Sequence, residues 1–135
     1  MMAALSLRSK TGLLWIFRAY RELLWVEVLL RNRGFGGVHE AVKSLAAVER
    51  GLRFHSCEEI CRAVDIACVL YFKEVQCLQR SAAAVRLLRR RGVHAELVIG
   101  VQQWPFRAHA WVEAAGRVVN DKPHVIESFT VIDRC

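Results

Sequence analysis

No stretch of this 135-residue sequence combines the length and purity of a bilayer-spanning helix. The longest apolar segment, 13–30, is interrupted by Arg18, Arg21, Glu22 and Glu27, whereas a span wants roughly 20 mostly uncharged residues. That segment therefore reads as an amphipathic or core helix, at most touching a membrane surface. Met1 is not followed by a basic region, an apolar core and a small-residue cleavage site, so a cytoplasmic location is expected. Five cysteines is an odd count, which suits free thiols better than a disulfide framework. Acidic residues are scarce, 13 against 20 Lys and Arg, giving a net charge of +7. The excess is mostly arginine: Arg86, Arg89, Arg90 and Arg91 crowd one segment, and Arg18, Arg21, Arg31 and Arg33 lie near the start. Such a balance attracts nucleic acid, anionic membranes or acidic peptides, yet a solvated charged face accounts for each cluster on its own. Zinc-finger spacing, an RRM-like aromatic motif and a basic helix free of apolar residues are all missing, so no nucleic-acid partner is expected. Repeats, low-complexity segments and linkers are missing too, and the length fits one domain. The hydrophobic share, 54%, implies a generous core or an apolar surface that meets a partner.

Helical periodicity runs from Leu13 through Ile16, Phe17, Leu24, Val28 and Leu29, and the segment 32–37 is expected to end it. A second helix is expected over 38–50, closed by Gly51. A third starts near Ser56, a candidate N-cap with Glu59 completing a capping box. A fourth runs over 77–91, with Gly92 placed where a helix end tolerates positive φ. After it the texture changes to short β-branched or alternating segments, 95–102, 109–114, 116–121 and 129–133, broken by Gly, Pro and Asn. Helices followed by an antiparallel meander make the chain α+β.

Cys57, Cys61 and Cys68 share one face of the third helix with Ile60, Val64 and Ala67. A metal site needs a fourth ligand and tighter pairs, so they read as small buried hydrophobes, and Cys135 receives no role. Cys77 differs. At a helix start, unpaired N–H groups and the positive end of the helix dipole stabilise a thiolate and can bind an oxyanion; the plainer alternative is a small apolar residue that begins a helix. In a strand reading, His109, Trp111 and Glu113 face one side and Ala110, Val112 and Ala114 the other. A lone strand histidine is usually a structural hydrogen-bonding residue. Antiparallel pairing about the Ala115–Gly116 turn, however, sets positions 120 or 121 opposite 110. Asp121 can then fix the tautomer of His109 and steady its imidazolium. The order Cys, His, Asp is chemically specific where no single member is.

The segment CLQRSAAAVRLLRRRGVHAELVIGVQQWPFRAHAWVEAAGRVVND, residues 77–121, resembles the transglutaminase-like leader peptidases of lasso peptide biosynthesis, in the split form whose leader-recognition domain is a separate polypeptide. The resemblance rests on the CLxRSxA helix start, the RRRGVHAELVIGV strand, AHAWVE and GRVVND. It implies a papain-like or transglutaminase-like α+β core over 55–135 behind a helical region over 1–54, in a single domain. It further implies Cys77 as nucleophile, His109 as base and acid, and Asp121 as the group that orients the histidine. The implied activity is removal of the leader from a precursor peptide through a thioester, ahead of macrolactam closure by a separate ATP-dependent, asparagine-synthetase-like cyclase. The implied partners are the precursor peptide, the recognition protein and that cyclase. No cofactor and no metal are expected. Gln76 and Gln102 are candidate second oxyanion donors, and Trp104, Pro105 and Phe106 either shape the substrate cleft or plug the core. The alternatives are a non-catalytic adaptor of the maturation complex and an acyl transferase on the same core.

Overall fold

The computed structural model describes residues 10–46 and 54–135. Helix α1 (Lys10–Ser44) is helical through the segment expected to end it, but Gly34 takes φ 65° and ψ −161° and kinks it. Only glycine enters that region without steric cost, so the expected break within 32–37 falls at Gly34, and α1 is two helical segments joined across that kink. Ala19, Leu23 and Val26 are buried before the kink and Val38 and Val42 after it. The expected close at Arg50 and Gly51 lies outside the described residues. Helix α2 (Phe54–Leu70) begins two residues before Ser56, which therefore sits inside the helix instead of capping it.

Helix α3 (Cys77–Arg90) starts where the sequence predicts. Its end is a Schellman motif: Gly92, at φ 84°, donates its N–H to Arg89 O, and Val93 donates to Leu88 O, both at 3.0 Å. Residues 81–89 are all buried, so α3 is the central rod, packed against α1 and α2 on one side and the sheet on the other. Ala82, Ala83 and Ala84 let its neighbours approach closely. Burial also corrects the expectation of a solvated arginine face. Arg86 donates to the buried Glu22 (Nε–Oε2 2.9 Å) and lies over the Trp25 ring at 3.8 Å. Arg89 donates to Ala95 O (2.9 Å), Leu45 O (3.1 Å) and Val42 O, and so ties the end of α1 to α3 and the sheet.

The sheet comprises β1 (Ala95–Gln102), β2 (Arg107–Ala114), β3 (Arg117–Val118) and β4 (Thr130–Arg134) in the order β3-β2-β1-β4. All pairings are antiparallel. A short helix, α4 (Val125–Ser128), precedes β4. Ala115 and Gly116, at φ 53° and 73°, form the tight β2–β3 turn that two consecutive positive φ values make possible. Strand β3 is shorter than the expected 116–121. Val119 still donates to Val112 O (2.9 Å), but the Val112 N–H then goes to the Asn120 side chain (2.7 Å), and the backbone ladder stops. Ala110, Val112 and Ala114 face the helices and join the core. The molecule is thus α+β, a helical layer on one face of an antiparallel sheet. Among the described residues, no helix is long and apolar enough to cross a membrane.

Candidate active site

His109 sits on β2 opposite Gly100 of β1 and is half-buried. Its imidazole packs against two aromatic rings that also touch each other, Trp111 at 5.9 Å and Phe129 at 5.3 Å between centroids. Trp111 is fully buried because β1 supplies no side chain beneath it: a Cβ on Gly100 would come within 2.6 Å of the indole. The indole N–H donates to Glu113 (3.0 Å), so the ring that backs the histidine is itself held at its far edge.

His109 Nε2 lies 2.6 Å from Asp121 Oδ2. Oδ1 of the same carboxylate accepts the Lys122 N–H at 2.8 Å. Burial pushes the Asp121 carboxyl up, but the bonds from His109 and Lys122 and the nearby Arg80 charge outweigh it and hold the carboxyl below its ordinary value. The preceding residue explains why the carboxylate stays in place. Asn120 is buried, accepts the Val112 N–H, and donates to Ser81 Oγ (2.9 Å); Ser81 donates onward to Ala110 O (3.0 Å). This chain of bonds crosses from α3 to β2 beside His109. Arg80, which precedes Ser81 on α3, donates to Asn120 O (2.7 Å) and lies 3.8 Å from Asp121 and 3.7 Å from Asp65.

Cys77 opens α3, half-buried at the rim of the core. It lies one turn before Arg80 and Ser81 on the same helix face, since residues three and four apart stack on one side. Those two residues contact Asp121 and Ala110, so the helix start is aimed at the His109 end of β2. The imidazole and carboxylate are in direct contact; the thiol is not hydrogen-bonded to the imidazole among the described residues. With Nε2 committed to Asp121, Nδ1 is the ring nitrogen left for a thiol.

The other expected residues fall as follows. Cys57 and Cys61 are buried and Cys68 half-buried, all three free; burial pushes Cys61 up to about 12 and Cys68 up to about 11. These are packing cysteines with inert thiols at neutral pH. Trp104 and Phe106 are 90% and 74% exposed at the tip of the β1–β2 hairpin, so they do not plug the core. Gln102 donates to Trp104 O (3.3 Å) within that hairpin, whereas Gln76 is exposed beside Cys77 and makes no capping bond. Sequence reasoning gave no role to Arg80 and Ser81 of the CLxRSxA motif or to Asn120 of GRVVND, and it missed Phe129 altogether. Asn120 carried a local signal too, as a small polar residue interrupting a β-branched run.

Compared with known proteins, the chain is 46% identical over 56 residues to the microcin J25-processing protein McjB of Escherichia coli. That stretch is 42% of this chain and 27% of the relative, so the match spans about a quarter of the relative's length. No solved structure matches. The family model described as the transglutaminase-like superfamily matches residues 22–134, from α1 to β4. A match over most of the chain, on an α+β framework with a helix start facing a histidine-bearing strand, places this protein in the transglutaminase-like superfamily.

Proposed function

We propose that the protein is a cysteine peptidase that removes the leader from a lasso peptide precursor, with Cys77, His109 and Asp121 as its catalytic residues. The observation that carries the reading is the 2.6 Å His109–Asp121 bond, made on the strand toward which the Cys77 end of α3 is aimed. The partial likeness to a microcin-processing protein supports the substrate class.

In the proposed reaction, His109 Nδ1 takes the Cys77 proton while Asp121 stabilises the resulting imidazolium. The thiolate attacks the scissile carbonyl carbon, and the tetrahedral oxyanion is met by the Cys77 N–H at the unpaired start of α3. Gln76, exposed and uncommitted, is the second donor. Collapse breaks the C–N bond, the core peptide leaves as an amine carrying the proton from His109, and the leader stays as a thioester. Water, deprotonated by His109, releases the leader as a carboxylate and restores the thiol. The exposed Trp104 and Phe106 offer apolar contacts for the peptide at the same end of the sheet. A separate recognition protein holds the leader, and a separate asparagine-synthetase-like cyclase receives the freed core. An exposed apolar face of α1, including Leu13, Phe17 and Val28, supports a docking role beside catalysis.

Cys77→Ala is expected to abolish precursor cleavage, assayed with the recognition protein present, while leaving the circular dichroism spectrum unchanged. Cleavage retained by that variant rules the mechanism out. A product mass that shows a new amide in place of a free carboxylate identifies an acyl transferase instead.

A further inference from the structure

A second cluster of chemistry-bearing side chains lies away from the site above. His39, Asp133 and Cys135 present Nε2, a carboxylate oxygen and Sγ within 4.8 Å of one another, although 94 residues separate His39 from Asp133. We propose that these three residues form a binding site for a zinc-class divalent cation, which fastens the second half of α1 to the edge strand β4.

The backbone delivers the three ligands independently. Asp133 pairs with Ile99 of β1. Cys135 continues the same ladder two residues on, exchanging bonds with Leu97 (N–O 3.0 and 2.8 Å). Residues two apart on a strand point to the same side, so the carboxylate and thiol form a short chelate on one face. His39 comes from beyond the Gly34 kink, and its Nε2 already meets Asp133 Oδ2. Phe35, one turn earlier, lies against the His39 ring at 5.9 Å.

The donor set selects the ion. A thiolate with an imidazole suits zinc and its neighbours and not calcium or magnesium, which take oxygen ligands. Tetrahedral zinc with bonds of 2.0–2.3 Å puts its ligand atoms about 3.3–3.6 Å apart. With all three ligand atoms already within 4.8 Å of one another, side-chain rotation reaches that spacing, and the His39–Asp133 contact opens to admit the ion. Side chains of His39 and Asp133 are 26% and 42% exposed, which gives an entry path and room for a water as the fourth ligand. Thiolate and carboxylate neutralise a dication, so the nearby Lys43 charge is not opposed by a net positive centre; Arg89 is already committed to three carbonyls.

The test uses the full-length Cys77→Ala chain, so that the first thiol does not contribute. Titration with zinc is expected to give one bound ion. Cobalt(II) is expected to give the intense visible bands of a tetrahedral thiolate site. Adding Cys135→Ser or His39→Ala is expected to weaken zinc binding at least ten-fold, and Cys135→Ser to abolish the thiolate band. Absence of zinc binding, or binding unchanged by both added substitutions, overturns the proposal. Should His39→Ala fail to fold, mass-mapped alkylation of the Cys77→Ala chain decides the matter: zinc protects Cys135 if the site exists, and equal labelling with and without zinc overturns it. None of these readouts depends on peptidase activity.

Discussion

Replacing Asn120 with alanine tests whether the His109–Asp121 pair is held by the polar bridge between α3 and β2. The substitution leaves the N–H of the fully buried Val112 without its 2.7 Å acceptor, and an orphaned buried donor costs about 1–3 kcal/mol. Ser81 loses the 2.9 Å bond from Asn120 but keeps Ala110 O, a further loss of about 0.5–1 kcal/mol. Together these give about 1.5–4 kcal/mol. For a domain of this length, each kcal/mol lowers Tm by about 3–5 °C, so thermal unfolding should fall by roughly 10 °C. Function should fall by a separate route. Arg80 still meets the main-chain carbonyl of residue 120 in the variant, but the side-chain bonds that pin that residue to β2 and α3 are gone; the adjoining Asp121 carboxylate then fixes the imidazole less firmly. In leader-cleavage kinetics kcat should then drop while KM stays near the parent value, because the buried Asn120 side chain makes no surface for the peptide to bind. Lys122→Ala, at an exposed neighbour, should change stability by less than about 0.5 kcal/mol. An Asn120→Ala protein that melts within about 2 °C of the parent, with unchanged kcat, would refute the reasoning.

Gly100→Ala drives a Cβ to 2.6 Å from the Trp111 ring and 2.9 Å from Phe129; differential scanning calorimetry should show a loss of about 1–3 kcal/mol from overpacking, with impaired cleavage because both rings flank His109. Gln76→Ala should lower kcat about 10²–10³-fold if its carboxamide meets the oxyanion, and an unchanged kcat in single-turnover assays would remove it from that role. Because Asp121 is held below its ordinary 3.8, its contribution to stability is fully present above that value and is lost as pH falls through the lower folded-state value; Asp121→Asn should therefore flatten the acid limb of a Tm-against-pH curve. Alkylation near neutral pH should spare Cys61 and Cys68, whose thiols burial has pushed up to about 12 and 11; labelling of either ahead of Cys77 would contradict the assigned roles.

What was readable in advance is what local chemistry decides. The span of β1, the start of α3 and the positive φ of Gly92 follow from alternation, alanine content and glycine placement. The break near Gly34 and the helix that resumes after it were legible, but not that the second segment carries His39 to Asp133 of β4. Arg86 and Arg89 read as surface charge because composition does not reveal a buried Glu22 64 residues away or the carbonyls at the end of α1. Strand β3 was overextended because nothing in GRVVND announces that a side chain, Asn120, will take a ladder hydrogen bond. The pairing of His109 with Asp121 was suggested by the tight turn. The stacking of Phe129 on the imidazole was not, since it depends on β4 returning beside β1. Long-range partners escape periodicity for a physical reason: they are set by which surfaces meet, and every residue in between is silent about that.

The central claim, that Cys77 is the attacking nucleophile, is tested most directly by trapping its acyl intermediate. Precursor peptide is mixed with enzyme and recognition protein, quenched in acid within the first turnover, and the protein is digested and mapped by mass. The account predicts a thioester that adds the leader mass, less one water, to the Cys77 peptide, absent from Cys77→Ala and accumulating in a variant with slowed hydrolysis. Cleavage that proceeds with no adduct at Cys77, or with the adduct on another residue, would contradict it.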